Sequence, residues 1–139
     1  MTAAAQPDAA DFPVRQGERR WTAKEIEEVR EQLITEVAEV QAEIERAEAD
    51  IAERLGDAVS EAGDDQADVG AKAFEREHEL ALTYNARELL AQTERALARI
   101  EAGTYGTCES CGQAIGKARL QAYPRATLCV TCKQREERR

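Results

Sequence analysis

The sequence predicts a mainly α protein: an antiparallel two-helix coiled-coil hairpin, then a C-terminal four-cysteine zinc finger and a short C-terminal helix. Three observations predict it. Cys108, Cys111, Cys129 and Cys132 stand as two close pairs, C-x2-C-x17-C-x2-C, and they are the only cysteines in the 139 residues. An apolar stripe at coiled-coil spacing runs from Ile26 to Leu55. Charged residues make up 34% of the chain and aromatics 4%, a mix that suits long solvated helices rather than a large globular core.

Residues 1–20 contain Pro7, Pro13 and Gly17 without periodicity, and are expected to form a flexible N-terminal arm. The basic residues Arg15, Arg19 and Arg20 in it read as a solvated tail rather than a nucleic-acid contact. The hairpin is expected over 21–103. Thr22 and Glu25 fit a capping box, and Glu25, Glu27 and Glu28 suit the positive end of a helix dipole. Trp21, just before the cap, suits a hydrophobic staple against Ile26. Apolar residues then recur at Ile26, Val29, Leu33, Val37, Val40, Ile44, Ala47, Ile51 and Leu55, at steps of three and four.

The stripe fades in residues 56–70, GDAVSEAGDDQADVG, which read as a turn or frayed junction. Asp57, Glu61, Asp64, Asp65 and Asp68 crowd this stretch. Their mutual repulsion makes burial costly, so the tip should be exposed and acidic, either a solvated turn or a carboxylate probe for a basic surface or a Mg2+ ion. A second helix is expected over roughly 71–102, with Phe74, Ala81, Leu82, Leu89, Ala96, Leu97 and Ile100 as its apolar positions and His78 near the seam. Gly103 is placed to end it. Two long helices joined by a short turn pack antiparallel to bury their stripes. A helix of this length is about 50 Å long at 1.5 Å per residue, giving a thin rod with the acidic tip at one end and the finger at the other.

The finger is expected over 104–139. Close cysteine pairs around a 17-residue spacer form one tetrahedral site, and four thiolates leave no open position for water, so the expected cofactor is a single structural Zn2+. Gly106, Gly112 and Gly116 supply turns beside the first pair. Ile115, Leu120 and Leu128 are too few for an independent core, so the metal must supply much of the folding free energy. A pair of disulfides is disfavoured because no apolar signal segment opens the chain, and a redox C-x-x-C because no strand–helix–strand pattern surrounds it. The last residues, from about Leu128, are expected to form a short basic helix.

Charge is unevenly placed. Residues 104–139 carry seven Lys/Arg and three Asp/Glu, a formal +4; residues 1–103 carry twelve and twenty-five, a formal −13. An acidic body disfavours a dedicated DNA binder and favours a protein partner with a basic surface. No stretch approaches 18 consecutive apolar residues, so no membrane span is expected, and the setting should be a reducing cytoplasm. One histidine supports no Ser/His/Asp constellation, and no Gly-rich phosphate loop occurs, so an enzyme is not expected.

The stretch Tyr105-Gly106-Thr107-Cys108-Glu109-Ser110-Cys111-Gly112, with Ile115-Gly116, Arg119-Leu120, Pro124 and Leu128-Cys129-Val130-Thr131-Cys132-Lys133, resembles the DksA/TraR zinc-finger family. The resemblance extends back over the hairpin to about residue 22. It implies a bacterial regulator that binds RNA polymerase, inserts the coiled-coil tip through the secondary channel and alters promoter complexes without reading DNA sequence. It carries the tip contacts onto Asp65 and Asp68, within D-Q-A-D-V-G; Gly70 stands where the family has Ala. The basic positions that the family turns toward ppGpp correspond to Gln92, Tyr123 and Lys133, of which only Lys133 is cationic. The implied ppGpp synergy is therefore weak or absent. Two other readings stay open: a nucleic-acid-binding zinc ribbon using Lys117, Arg119, Arg125, Lys133 and Arg135, and a transcript-cleavage-type factor of the same channel. The internal hairpin already satisfies the first stripe, so a monomer is expected.

Overall fold

A computed structural model describes residues 8–60 and 66–138, with the backbone alone described at 57–60 and 66–69. Among the described residues four α-helices follow one another: α1 Ala23–Ser60, α2 Gln66–Ala102, α3 Lys117–Ala122 and α4 Val130–Glu137. A short 3-10 turn, Ala9–Asp11, precedes them. Among the described residues the only β pairing is an isolated antiparallel bridge between Thr107 and Ala114.

The capping box forms as the sequence dictates. The Glu25 N–H donates to Thr22 Oγ1 at 3.1 Å and the Thr22 N–H donates to Glu25 Oε1 at 3.0 Å. At the other end α2 closes in a Schellman motif. The Gly103 N–H reaches Ile100 O at 3.2 Å and the Thr104 N–H reaches Arg99 O at 2.9 Å, with Gly103 at φ +79°, where a side chain would be strained. Both helices run further into residues 56–70 than expected: α1 continues to Ser60 and α2 resumes at Gln66, so Gly56 and Gly70 are helical. A glycine costs a long helix only about 1 kcal/mol, too little to stop one.

The chain divides into two compact units, one from residue 37 to residue 91 and the other from the flanking parts. The 37–91 unit is a pair of helical segments. Val40 and Ile44 of α1 are buried and Ala47 and Ile51 half-buried, as the stripe requires, whereas Leu55 is exposed. The α2 seam departs from expectation. Phe74 is 73% exposed, and Ala81, Leu82 and His78 are exposed as well. The inward positions are Thr83, Ala86 and Leu90, continued in the other unit by Thr93, Leu97 and Ile100 at steps of three and four, with Leu89 half-buried and Ala96 buried as expected. Threonine serves in this seam because its hydroxyl can be satisfied within its own helix: Thr83 Oγ1 donates to Glu79 O at 3.0 Å. Arg54–Glu79 and Arg87–Glu48 ion pairs join the two helices here.

The other unit holds the main core. Ile26, Val29 and Leu33 of α1, Ala96 and Ile100 of α2, and Tyr105, Ile115, Leu120 and Ala126 of the finger form one buried cluster with Cys108, Cys129 and Cys132. The finger therefore does not depend on Ile115 and Leu120 alone; it shares its apolar interior with the helices. Ala9, Phe12 and Trp21 belong to the same cluster. Against the expectation of a free arm over 1–20, residues 8–21 form a packed strap, and residues 1–7 lie outside the described residues. Phe12 and Trp21 each set their rings against Tyr105, with centroids 6.2 and 6.4 Å apart. Burial of two large aromatics outweighs the entropy of ordering a dozen residues only with polar anchors to help, and the strap has them. Arg15 Nη1 donates to Ala114 O at 3.0 Å, so this arginine is not part of a solvated tail.

Candidate metal centre and the finger around it

The two cysteine knuckles are built by backbone hydrogen bonds. The Gly112 N–H donates to Cys108 O at 3.0 Å and the Cys108 N–H to Gln113 O at 2.8 Å, curling the first pair. The Ile115 N–H then donates to Gly106 O at 2.8 Å, beside the Thr107–Ala114 bridge. The second pair sits at the start of α4. Cys129 is its N-cap, with its sulfur accepting from the Cys132 N–H at 3.5 Å. The Glu109 N–H donates to Thr127 O at 2.9 Å and ties one knuckle to the other.

This framework brings all four Sγ atoms within 4.8 Å of one another, with Cys111 and Cys129 3.9 Å apart. No disulfide links them. Zn–S bonds of about 2.3 Å in a tetrahedron place the sulfurs near the observed separation, so the donor set fits the metal. The electrostatics favour the thiolate at two of the four sulfurs; at Cys132 a Ser110 bond lowers the thiol, but the neighbouring sulfurs and burial outweigh it and push it up to about 11. Burial would raise the Cys108 thiol, but N–H groups of Cys111, Cys129 and Ser110 aimed at its sulfur outweigh that and hold it below its usual value. The Cys132 N–H lowers Cys129 in the same way. Donors of this kind favour the thiolate, the form that ligates.

Helix α3 spans the gap between the knuckles, and its start is unusual. Its N-cap, Gly116, has φ +116° and offers no side-chain cap; a Cβ there would come 3.1 Å from the Arg15 side chain. The strap supplies the cap instead. Glu18 Oε1 accepts from the Lys117 N–H at 2.9 Å and Oε2 from the Ala118 N–H at 3.0 Å. Burial works against the Glu18 carboxylate, but these N–H groups and that of Arg15 hold it below its ordinary value. Farther along, the buried Tyr105 hydroxyl donates to Pro124 O at 2.7 Å.

Three of the seven finger cations are committed inside the unit. Lys117 Nζ lies 2.6 Å from Glu25, Arg125 lies 3.7 Å from Glu36, and Arg119 Nε donates to Leu128 O at 3.1 Å. Lys133 and Arg135 are exposed on α4. Gln92, Tyr123 and Lys133 do come together, around an open depression of about 560 Å³ that Arg95 and Arg119 also line. Glu136 and Glu137 line it too, and Gln92 spends its amide on Arg125 O at 2.9 Å. Arg95 was not singled out from sequence, having no motif of its own. Asp65 lies outside the described residues, and so does the side chain of Asp68, whose backbone is in α2.

The prokaryotic dksA/traR C4-type zinc finger matches residues 103–138. Over 75 residues the chain is 43% identical to the RNA polymerase-binding transcription factor DksA of Caulobacter vibrioides, covering 54% of this chain and 53% of that protein. Over 69 residues it is 41% identical to the protein of that name in Escherichia coli K12, covering 50% and 46%. The matched stretch spans about half the length of these curated relatives. The solved structure of transcription factor DksA2 from Pseudomonas aeruginosa superposes with a TM-score of 0.67 at 31% identity, over 84% of this chain and 85% of that one. With a C4-type finger and four clustered sulfurs, the cofactor is one structural Zn2+. No helix among the described residues is long and apolar enough to cross a membrane.

Proposed function

Because the chain belongs to the DksA/TraR family, we propose that it is a transcription regulator that binds bacterial RNA polymerase, enters the secondary channel and sets its acidic tip near the active site to modulate promoter complexes. The observation that carries this reading is the structural likeness to DksA2, which runs over hairpin and finger together rather than over the finger alone. Cys108, Cys111, Cys129 and Cys132 hold the Zn2+, which supplies structure and no chemistry, since four thiolates fill its coordination. Asp65 and Asp68 make the tip contact. Lys133, with Arg95 and Arg119 beside it, is the candidate ppGpp-side cation, and Glu136 and Glu137 in the same depression oppose an anionic phosphate, in keeping with weak synergy. The protein acts as a cytoplasmic monomer and not as an enzyme.

The commitment of Lys117, Arg119 and Arg125 to internal partners weighs against the nucleic-acid ribbon reading, which needs those cations free. The test is capture of core RNA polymerase by the zinc-loaded chain, alone and against a known secondary-channel factor. Capture that the factor displaces supports the reading; no capture of core or holoenzyme overturns it. Asp65→Asn with Asp68→Asn should keep polymerase binding and lose the effect on promoter complexes. Release of short transcripts from backtracked complexes would instead favour a cleavage factor.

A further inference from the structure

The strap is anchored by parts of the finger that the two cysteine knuckles position. Arg15 bonds to Ala114 O, which lies on the turn closing the first knuckle. Glu18 bonds to the first two N–H groups of α3, a six-residue helix too short to persist alone and suspended between the knuckles. Phe12 and Trp21 pack on Tyr105, three residues before Cys108, within a cluster that includes three of the four cysteines. The strap itself contains no helix beyond one 3-10 turn and no internal core. Its apolar residues share the cluster with Ile26, Leu33 and Ile100 of the long helices, but its polar anchors are all on the finger, and without them the apolar contacts alone do not offset the entropy of ordering it.

From this geometry we infer that residues 8–21 form a metal-gated strap: Zn2+ in the finger holds it down, and loss of Zn2+ releases it, uncovering Trp21 and freeing the basic run Arg15, Arg19 and Arg20, while the two long helices remain. The device reads metal occupancy, and anything that strips the metal, at the N-terminal end of the chain. It requires only the metal site, and stands whether or not the polymerase reading does.

Thermodynamic linkage makes the coupling reciprocal. If Zn2+ favours the docked strap, the docked strap must favour Zn2+ by the same factor. Trp21, the only tryptophan, is 2% exposed and reports docking directly. The experiment removes the metal from the full chain with a high-affinity chelator and follows zinc content, tryptophan emission, acrylamide quenching and helical circular dichroism together. Emission should shift to the red and quenching rise as one Zn2+ per chain leaves, the helical band should lose only the share of α3 and α4, and added Zn2+ should reverse all of it. A Trp21 still protected in the metal-free chain overturns the proposal, as does collapse of the whole helical band in the same step. Arg15→Ala with Glu18→Gln, neither a metal ligand, should raise quenching in the zinc-loaded chain and weaken zinc retention by about fivefold to tenfold, within the usual range of coupling between sites. Unchanged zinc affinity in that variant overturns it as well.

Discussion

Glu18 caps a helix that begins 99 residues away, accepting the Lys117 N–H at 2.9 Å with one carboxylate oxygen while the other accepts from Ala118. A helix whose own N-cap is Gly116, without a side-chain bond, leaves its first N–H groups unsatisfied. A carboxylate at that point answers both the orphan donors and the positive end of the dipole. Glu18→Ala should therefore cost about 1 kcal/mol, the usual cost of losing a cap. Urea unfolding of the zinc-loaded protein measures it. Glu18→Gln should recover only part of the loss, since its amide keeps an acceptor but not the charge.

Glu25 gives a pH dependence of defined sign. It is both the capping-box acid of α1 and the partner of Lys117, with Gln121 Nε2 donating to it at 3.0 Å. Lys117 chiefly, then the Thr22 N–H, bring its carboxyl down to about 2 from an ordinary 4.5. A lowered folded-state value means that the unfolded chain takes up the proton first as pH falls. The contribution is complete above about 4.5 and is lost progressively toward 2. Acid also strips zinc by protonating thiolates, so the readout is the difference between wild type and Glu25→Gln. The gap in urea midpoint should be widest above pH 5 and close as pH falls; a gap that widens in acid contradicts the assignment.

Trp21 offers a test of which part of an aromatic matters. Its ring is buried in the main cluster, yet its indole Nε1 has no hydrogen-bond partner. An orphaned buried donor costs roughly 1–3 kcal/mol, and Trp21→Phe removes it while keeping most of the apolar contact. That substitution should cost under about 1.5 kcal/mol, as volume-tolerant core swaps do. Trp21→Ala should cost about 3–5 kcal/mol, because it empties the site under the strap. Equal losses in thermal or urea unfolding would show that the N–H, and not the ring, holds the position.

How far the sequence could be read follows from what each element needed from it. Helix α1 announced itself because Ile26, Val29, Leu33, Val40 and Ile44 are all aliphatic and all inward. Helix α2 hid its seam, since Thr83, Ala86 and Thr93 face in while Phe74, Leu80, Leu82 and Tyr84 are exposed. A threonine with its hydroxyl on the preceding turn behaves as an apolar residue in a seam, and no hydropathy pattern reveals that bond. The metal centre was fully legible, because four-coordinate thiolate chemistry demands that spacing. The strap was not. Phe12 and Trp21 have no periodic neighbours, and partners some 100 residues away leave no local signal.

Gly70 stands where the resemblance implies an alanine, and its geometry says what alanine would do there. It lies inside the first turns of α2, is exposed, and a Cβ added there meets nothing within 4 Å. Its φ is not positive, so alanine fits without backbone strain. Alanine favours helix over glycine by about 1 kcal/mol, partly by narrowing the unfolded ensemble. Gly70→Ala should therefore protect the amides at the start of α2 from hydrogen exchange several-fold, with no change in zinc content. If Asp65 and Asp68 act at the polymerase active site, a firmer helix start presents Asp68 with less entropy to lose, so the variant should act on promoter complexes at lower concentration than wild type. Slower exchange without that gain would place the limiting contact elsewhere than the tip.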